Sequence, residues 1–398
     1  MRAEQGHGSF RLLLGHPPVV FALPGSHGFA TKILAHLSWQ LGGCRFKLFN
    51  NGEISAKVEQ SVTNRDVFVI YTRNDGEIEV NFTLMQLLLF LDALRGESPH
   101  RITVIFPCLE YSRQDRRIVA GESIPPKLLL RCMKTAGADR FLMVDLHNQA
   151  EAAFSPAGAV LDELTSDKYL AHFVRCSMPG FDVDRTLVCA TNGGGLKFTR
   201  RMAEELRTGF IMADRFRPKA GGVGQIKIIS DSSREDVKAI IIVDDMFDTC
   251  GALSEVCGAL NDFAPNAKIY GIAIHGYFSG DAHLQIKKLV ETCGLEWLAV
   301  TNSITQDGAI RRLESIGLRD CLRVVDISRL IAGAIMRVHL GVSVNLPKFR
   351  NLEPAMDDPI LQMASSVPQY QYTHIIDDHR QAAGRGKLQL QKHPTNTM

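Results

Sequence analysis

The sequence predicts an α/β protein of two similar halves, each a mostly parallel sheet flanked by helices. Two observations carry this expectation. Short apolar runs of strand length alternate with longer apolar-periodic segments from about residue 19 to residue 327, the pattern of repeated βα units. The same plan then occurs twice, with a break near residue 160. A chain of 398 residues has room for two such domains.

Taken in order, residues 1–17 form a polar leader containing Gly and His, expected to be loose. Residues 19–23 read as a strand, followed by Pro24-Gly25-Ser26-His27 and a helix over 29–41. Residues 46–53 read as a strand running into a polar tip, 67–72 as a buried strand, and 82–94 as an apolar helix. A strand over 102–107 leads into a charged loop over 111–121. Pro125 and Pro126 open a helix, where the first turn tolerates proline. Residues 141–145 form a strand ending in Asp-Leu-His.

The second half repeats the plan. A strand over 186–190 meets the run Gly193-Gly194-Gly195, then a helix over 197–207 and a basic, Gly-rich loop over 215–224. Residues 239–243 are a five-residue apolar run, short enough for a buried parallel strand. Asp244 and Asp245 follow, then Asp248-Thr249-Cys250-Gly251 and a helix opening at Ala252. Strands are expected at 268–275, 297–301 and 323–327, and a helix over 327–340 that returns to the first half. The division reads as leader 1–17, first domain 18–160, second domain 161–326, returning segment 327–349 and flexible tail 350–398.

Composition narrows the setting. Apolar content of 45%, charged content of 22% and a formal net charge of +2 give no nucleic-acid or membrane signal. No apolar run approaches the roughly 20 residues that span a bilayer. Nine cysteines, an odd number with no C-x-x-C pair, favour reduced thiols in a reducing, cytoplasmic compartment over a disulfide frame or a zinc site.

Five segments at strand ends could carry chemistry, because open α/β sheets place ligands there. Asp248 to Ala252 is a tight loop at a helix N-terminus, which suits a phosphate; Asp244 and Asp245 suit sugar hydroxyls or a metal beside it. Alone, a D-T-x-G loop reads equally as an ordinary capped βα turn. Phe49, Asn51 and Glu53 offer an aromatic face beside hydrogen-bonding groups, as a purine needs; a polar hairpin tip is the alternative. Arg113, Arg116 and Arg117 flank Gln114 and Asp115, a polyphosphate-like grouping that a solvated charged loop would also show. Asp145 and His147, two apart in an extended segment, would face one side and could both address magnesium. Asn192 before three glycines, with Lys197, could let backbone approach a phosphate, or could be a flexible turn.

In this order the segments resemble the ribose-phosphate diphosphokinase (phosphoribosyl pyrophosphate synthetase) family over residues 19–344. The marks are Val243-Asp244-Asp245-Met246-Phe247-Asp248-Thr249-Cys250-Gly251, Tyr111-Ser112-Arg113-Gln114-Asp115 and Val144-Asp145-Leu146-His147, supported by Ala136-Gly137-Ala138-Asp139 and His275-Gly276-Tyr277-Phe278-Ser279-Gly280. The resemblance implies two phosphoribosyltransferase-type domains and transfer of the diphosphate of MgATP to ribose 5-phosphate. It implies that Phe49, Asn51 and Glu53 hold adenine across a subunit interface. Arg113, Gln114 and Asp115 would contact ATP. Asp244, Asp245, Asp248, Thr249, Cys250, Gly251 and Ala252 would hold ribose 5-phosphate; His147, Asp145 and Asn192 would lie at the metal; Arg215 and Arg217 would be the catalytic loop cations. The cofactor implied is Mg2+, and the assembly a homo-oligomer of dimers or a hetero-oligomer with a related synthetase.

Three positions depart from the family pattern. Asn192 stands where the family has Asp, Arg215 where it has Lys, and Ala252 where it has Thr. These open a second reading, a weakly active or non-catalytic paralogue that regulates an active synthetase. A phosphoribosyltransferase acting on a base is permitted by the 243–251 motif alone. The duplicated architecture and the Arg113-Gln114-Asp115 loop argue against it.

Overall fold

The protein is described from a computed structural model covering residues 17–73, 79–216, 225–230, 236–344 and 359–362. The first half holds a five-stranded sheet in the order β1-β4-β5-β6-β7: β1 Val19–Ala22, β4 Asp66–Ile70, β5 Arg101–Ile105, β6 Arg140–Val144 and β7 Val160–Leu164. All its pairings are parallel. An antiparallel hairpin, β2 Cys44–Leu48 and β3 Ile54–Val58, stands apart from it. The second half holds seven strands in the order β10-β9-β8-β11-β12-β13-β14. These are β8 Thr186–Ala190, β9 Gly209–Phe216, β10 Gln225–Ser230, β11 Ala239–Phe247, β12 Lys268–Gly276, β13 Leu295–Thr301 and β14 Leu322–Val325. Only β10 runs antiparallel in this sheet.

Alternate residues of each buried strand feed opposite faces, so each sheet supports two cores. Val19, Phe21, Val67 and Val69 pack outward with α2 (Val80–Gly96) and α3 (Pro125–Thr135). Val20, Ala22, Phe68 and Ile70 pack inward, in one cluster with Val188, Ile241 and Ile272 of the second sheet. The layer between is made by α1 (His27–Leu37), α4 (Asp167–Ser177), α5 (Leu196–Leu206) and α9 (Ser328–His339). Helices α6 (Gly251–Phe263), α7 (Ala282–Cys293) and α8 (Asp307–Glu314) cover the far face of the second sheet. This shared inner layer stacks the sheets so that their carboxyl ends meet along one seam. Cys108 Sγ lies 3.1 Å from Tyr277 Oη across it, and Thr305 N–H donates to the Arg73 carbonyl at 3.0 Å.

The returning helix is present as α9. His36 Nε2 lies 3.2 Å from Ser328 Oγ, Arg101 Nη2 donates to the Val338 carbonyl at 2.8 Å, and His339 Nδ1 lies 2.8 Å from Asp66 Oδ2. Four expectations are corrected. Strand β7 crosses the expected break at 160, because it pairs with β6 throughout; the first sheet ends at Leu164. Its acidic residues hid it: Asp162 is buried but paired with Arg140 Nε at 2.5 Å. The start of the basic loop is strand, since Arg215 pairs with Ile226 in the β9–β10 hairpin. Helix α1 stops at Leu37, where Ser38 turns left-handed at φ 56°. Residues 359–362 of the expected tail form a helical turn that buries Ile360 against the inner core. The leader 1–16 and most of the tail lie outside the described residues, and among the described residues no helix is long and apolar enough to cross a membrane.

The Ala136-Gly137-Ala138-Asp139 mark proves structural. Gly137 sits at φ +125°, and a Cβ there would lie 2.8 Å from Arg95 Cβ, so only glycine fits. Asp139 accepts from Ile102 N–H at 3.0 Å, Arg95 Nη2 at 2.6 Å and Lys134 Nζ at 3.3 Å, tying β5 to the α3–β6 turn. Burial alone would raise its pKa, but these bonds outweigh burial and hold it below the ordinary value. A depressed folded pKa gives stability that is full above the ordinary carboxylate range and is lost as pH falls through the depressed value. Asp139→Asn is therefore expected to lower Tm at neutral pH and to flatten the acid limb of the Tm–pH curve, as read by differential scanning calorimetry. Parallel acid limbs in both proteins would contradict the assignment.

Candidate active site

Strand β11 lies between β8 and β12 and ends at the seam. Its pairing with β12 continues through Met246↔His275 and Phe247↔Gly276, so Asp244 and Asp245 lie inside the strand, not after Val243 as expected. Partner strand β12 runs equally far, which prolongs the ladder past the apolar run. Asp244 Oδ1 accepts from Asp245 N–H at 2.9 Å and its Oδ2 from Thr191 Oγ1 at 2.6 Å. Asp245 Oδ2 is hydrogen-bonded to His147 Nδ1, which arrives from the end of β6 in the first half. Burial and the neighbouring Asp245 charge push Asp244 up to about 7. Burial pushes Asp245 the same way, but bonds from His147 and Asp244 outweigh it and hold Asp245 below the ordinary range. His147 is raised, chiefly by its bond to Asp245.

Beyond β11 the chain turns through Asp248 and Thr249. Cys250 adopts the left-handed conformation at φ 60°, and α6 starts at Gly251. The first turn of a helix leaves N–H groups unpaired, which makes this an anion site. The Cys250 thiol itself is buried among apolar side chains, so its contribution there is backbone. Asp248 lines the loop cavity and ties it to its surroundings: its Oδ2 takes Arg113 Nη1 at 2.6 Å, and its Oδ1 takes the Ser279 hydroxyl.

Three adjoining cavities meet here. One of about 300 Å³ is walled by Thr191, Asp244, Asp245 and the 248–253 turn. A second, of about 390 Å³, is walled by His147, Asp245, Lys197 and the cations Arg116 and Arg201. The third, of about 550 Å³, lies between Arg73, Gln114, Tyr277 and Arg312. Arg113 borders all three. Its guanidinium also stands 5.5 Å from the Tyr277 ring centroid. Asp115 instead holds the loops together, accepting from Asn148 Nδ2 at 2.7 Å.

Asn192 is committed to its own turn. Its Oδ1 accepts from Gly194 N–H at 2.7 Å and Gly195 N–H at 3.2 Å, and its Nδ2 donates to Thr191 Oγ1 at 3.0 Å. Thr191 passes its own hydrogen to Asp244, so the amide fixes the direction of that chain. An aspartate could accept from the glycines but could not donate to Thr191.

Asp145 requires a correction. The expectation of a shared face with His147 assumed extended backbone, but Asp145 sits at φ +43° and is buried. Its carboxylate is held by Ser166 and Arg201, while Asp145 and His147 both border the cavity of about 390 Å³. Both Asp145 oxygens and Asn192 Oδ1 thus each accept at least one hydrogen bond from the protein. Among the described residues no three His, Cys, Asp or Glu side chains converge as a metal site. Magnesium asks less of the protein: one or two carboxylates suffice when water and substrate phosphates complete the shell. Asp244 and Asp245 on a shared cavity wall fit it on those terms, and a cation there would relieve the repulsion that raises Asp244.

Phe49, Asn51 and Glu53 occupy the exposed tip of the β2–β3 hairpin, with Lys47 Nζ 4.7 Å from the Phe49 ring. Asn51 Oδ1 accepts from Glu53 N–H at 3.2 Å, which shapes the tip, and none of the three residues lines these three cavities. Arg217 lies outside the described residues. Sequence reasoning missed Thr191, Ser166 and Arg201, and held His275 only as part of a supporting mark with no role. Thr191 could have been found from its place directly after β8; Ser166 and Arg201 carry no local signal.

Two family models match the chain: the N-terminal domain of ribose phosphate pyrophosphokinase over residues 18–137, and the phosphoribosyl synthetase-associated domain over residues 224–349. Ribose-phosphate pyrophosphokinase of Staphylococcus saprophyticus is 31% identical over 328 residues, 82% of this chain and 95% of that protein. Ribose-phosphate pyrophosphokinase A of Dictyostelium discoideum is 32% identical over 317 residues, 79% of this chain and 93% of that protein. A crystal structure of phosphoribosylpyrophosphate synthetase from Mycobacterium smegmatis superposes with a TM-score of 0.68 at 26% identity, covering 81% of this chain and 99% of that one. The chain belongs to the ribose-phosphate pyrophosphokinase family.

Asn192→Asp keeps the glycine contacts, loses the donation to Thr191 and adds a third carboxylate beside Asp244 and Asp245. In chelator the variant is expected to melt about 2–4 °C lower, roughly 1 kcal/mol, and to regain most of this with Mg2+. Equal melting of parent and variant in chelator would show that the Asn192–Thr191–Asp244 chain carries no stabilisation.

Proposed function

We propose that the protein is a ribose-phosphate diphosphokinase, transferring the diphosphate of MgATP to O1 of ribose 5-phosphate to give 5-phosphoribosyl 1-pyrophosphate and AMP. The observation that carries this reading is adjacency. The loop cavity suited to a sugar phosphate opens beside a cation-lined cavity suited to a triphosphate, and Arg113 and Asp245 border both.

In this reading the N–H groups of Thr249, Cys250, Gly251 and Ala252 take the 5-phosphate, while Asp244 and Asp245 take the ribose hydroxyls. Arg113, Arg116 and Lys197 hold the triphosphate, with Gln114 beside it. Magnesium, when bound, neutralises phosphate charge beside the acidic pair. His147, whose protonated form Asp245 favours, adds positive charge where the diphosphate moves. Arg215 and Arg217 supply further cations. Phe49, Asn51 and Glu53 take adenine from a neighbouring copy of the chain, which makes the homo-oligomer part of the site; their exposure supports this. Nine free thiols support a cytoplasmic setting. A second reading, weak turnover within a hetero-oligomer, draws on Asn192, whose oxygen is committed to the glycine turn.

Purified protein supplied with MgATP and ribose 5-phosphate is expected to release AMP and the pyrophosphorylated sugar in equal amounts. His147→Ala is expected to cut kcat by about 10²-fold or more while the protein stays folded. No AMP from folded parent protein would overturn the reading; strong activation by Asn192→Asp would favour the second one.

A further inference from the structure

The Asp145 carboxylate sits where the two halves meet, and a side chain of the second half grips it. Arg201 on α5 places Nη2 2.9 Å from Asp145 Oδ1 and 3.1 Å from Asp167 Oδ1, with Nε 2.8 Å from Asp167 Oδ2. The guanidinium lies over the Phe198 ring, 5.5 Å from its centroid, one turn earlier on the helix. The other Asp145 oxygen takes Ser166 N–H at 2.8 Å and Ser166 Oγ at 2.6 Å. The Asp145 carbonyl stands 3.4 Å from His275 Nε2 of β12, and Glu163 Oε1 accepts from Leu146 N–H at 3.0 Å. The two residues before His147 are thus each tied down, from both halves of the chain.

The other end of α5 matters as much. The helix starts at Leu196, directly after the Asn192–Gly195 turn, and carries Lys197 into the cavity that His147 and Asp245 share. One rigid helix therefore joins the clamp on the His147 strand to the glycine turn and its lysine. A surface ion pair would do nothing of this kind, whereas a fork bridging two buried carboxylates fixes direction as well as distance.

We propose that Arg201 is a positioning residue that holds His147 in register with the glycine turn and Lys197 across the seam, without touching the reacting atoms. The inference rests on the diphosphokinase reading for its kinetic consequence, but the geometry it asserts can be read directly. The phosphate loop hangs on β11 and α6, away from this clamp, so ribose 5-phosphate binding and catalysis should separate.

The test uses the full-length chain with Arg201→Lys and Arg201→Gln. Lysine keeps the charge but not the fork. Both are expected to lower kcat about tenfold to a hundredfold, Gln more than Lys, with KM for ribose 5-phosphate within about twofold of the parent. Histidine-selective 15N spectra are expected to show the His147 ring signals displaced in both variants without substrates present. If Arg201→Gln does not fold, Arg201→Gln with Asp167→Asn, which buries one carboxylate fewer, takes its place under the same criteria. Unchanged His147 signals and unchanged kcat in a folded variant overturn the proposal. So does a loss of kcat matched by an equal loss of ribose 5-phosphate affinity, the mark of general destabilisation. If the parent forms no AMP, the diphosphokinase reading fails, and the His147 spectrum alone decides the positioning claim.

Discussion

Two adjacent carboxylates, Asp244 and Asp245, lie in the last part of the central strand of the second sheet, before its end at Phe247, while largely withdrawn from water. Like charges so placed repel, and burial raises the cost of ionising either. The surroundings divide the load unequally. Asp245 receives a histidine from the other half of the molecule and stays ionised, whereas Asp244 receives only a neutral threonine and a backbone N–H and is pushed up to about 7. Many features nearby follow from that inequality. The β6 strand must end where its histidine reaches the pair, the sheets must meet at their carboxyl ends, and the shared inner helix layer must hold them there.

The alternating apolar runs made the α/β class and the duplicated plan readable, because buried parallel strands leave a strong local trace. Strand β7 left little trace, since Asp162 and Glu163 interrupt its pattern, and Arg140 on the neighbouring strand helps make Asp162 tolerable inside. The tight turn at the start of α6 was legible as a motif, but the placement of Asp244 and Asp245 within the strand was not, because it depends on the length of β12. Asp145 borders the same cavity as His147, but its left-handed φ and its bonds to Ser166 and Arg201 left no trace in a segment that reads as extended. Arg201 was invisible because its partners lie 56 and 34 residues away in sequence.

Substitution at the family positions reads differently with the structure in hand. Asn192 is a donor as well as an acceptor, so it supplies a hydrogen-bond chain to Asp244 that aspartate lacks. Ala252 forgoes a hydroxyl in the first turn of α6, but the N–H groups that define an anion site there belong to the backbone. These changes shift weight from side-chain charge to backbone and amide dipoles.

The central claim is that the acidic pair and the turn after it form a ribose 5-phosphate site completed by a divalent cation. Titration calorimetry of ribose 5-phosphate into the protein, in Mg2+ and in chelator, tests it most directly. The account predicts binding that Mg2+ strengthens, with the Mg2+ dependence abolished in an Asp244→Asn, Asp245→Asn double variant. Binding of equal strength in Mg2+ and chelator, unchanged in the double variant, would contradict it.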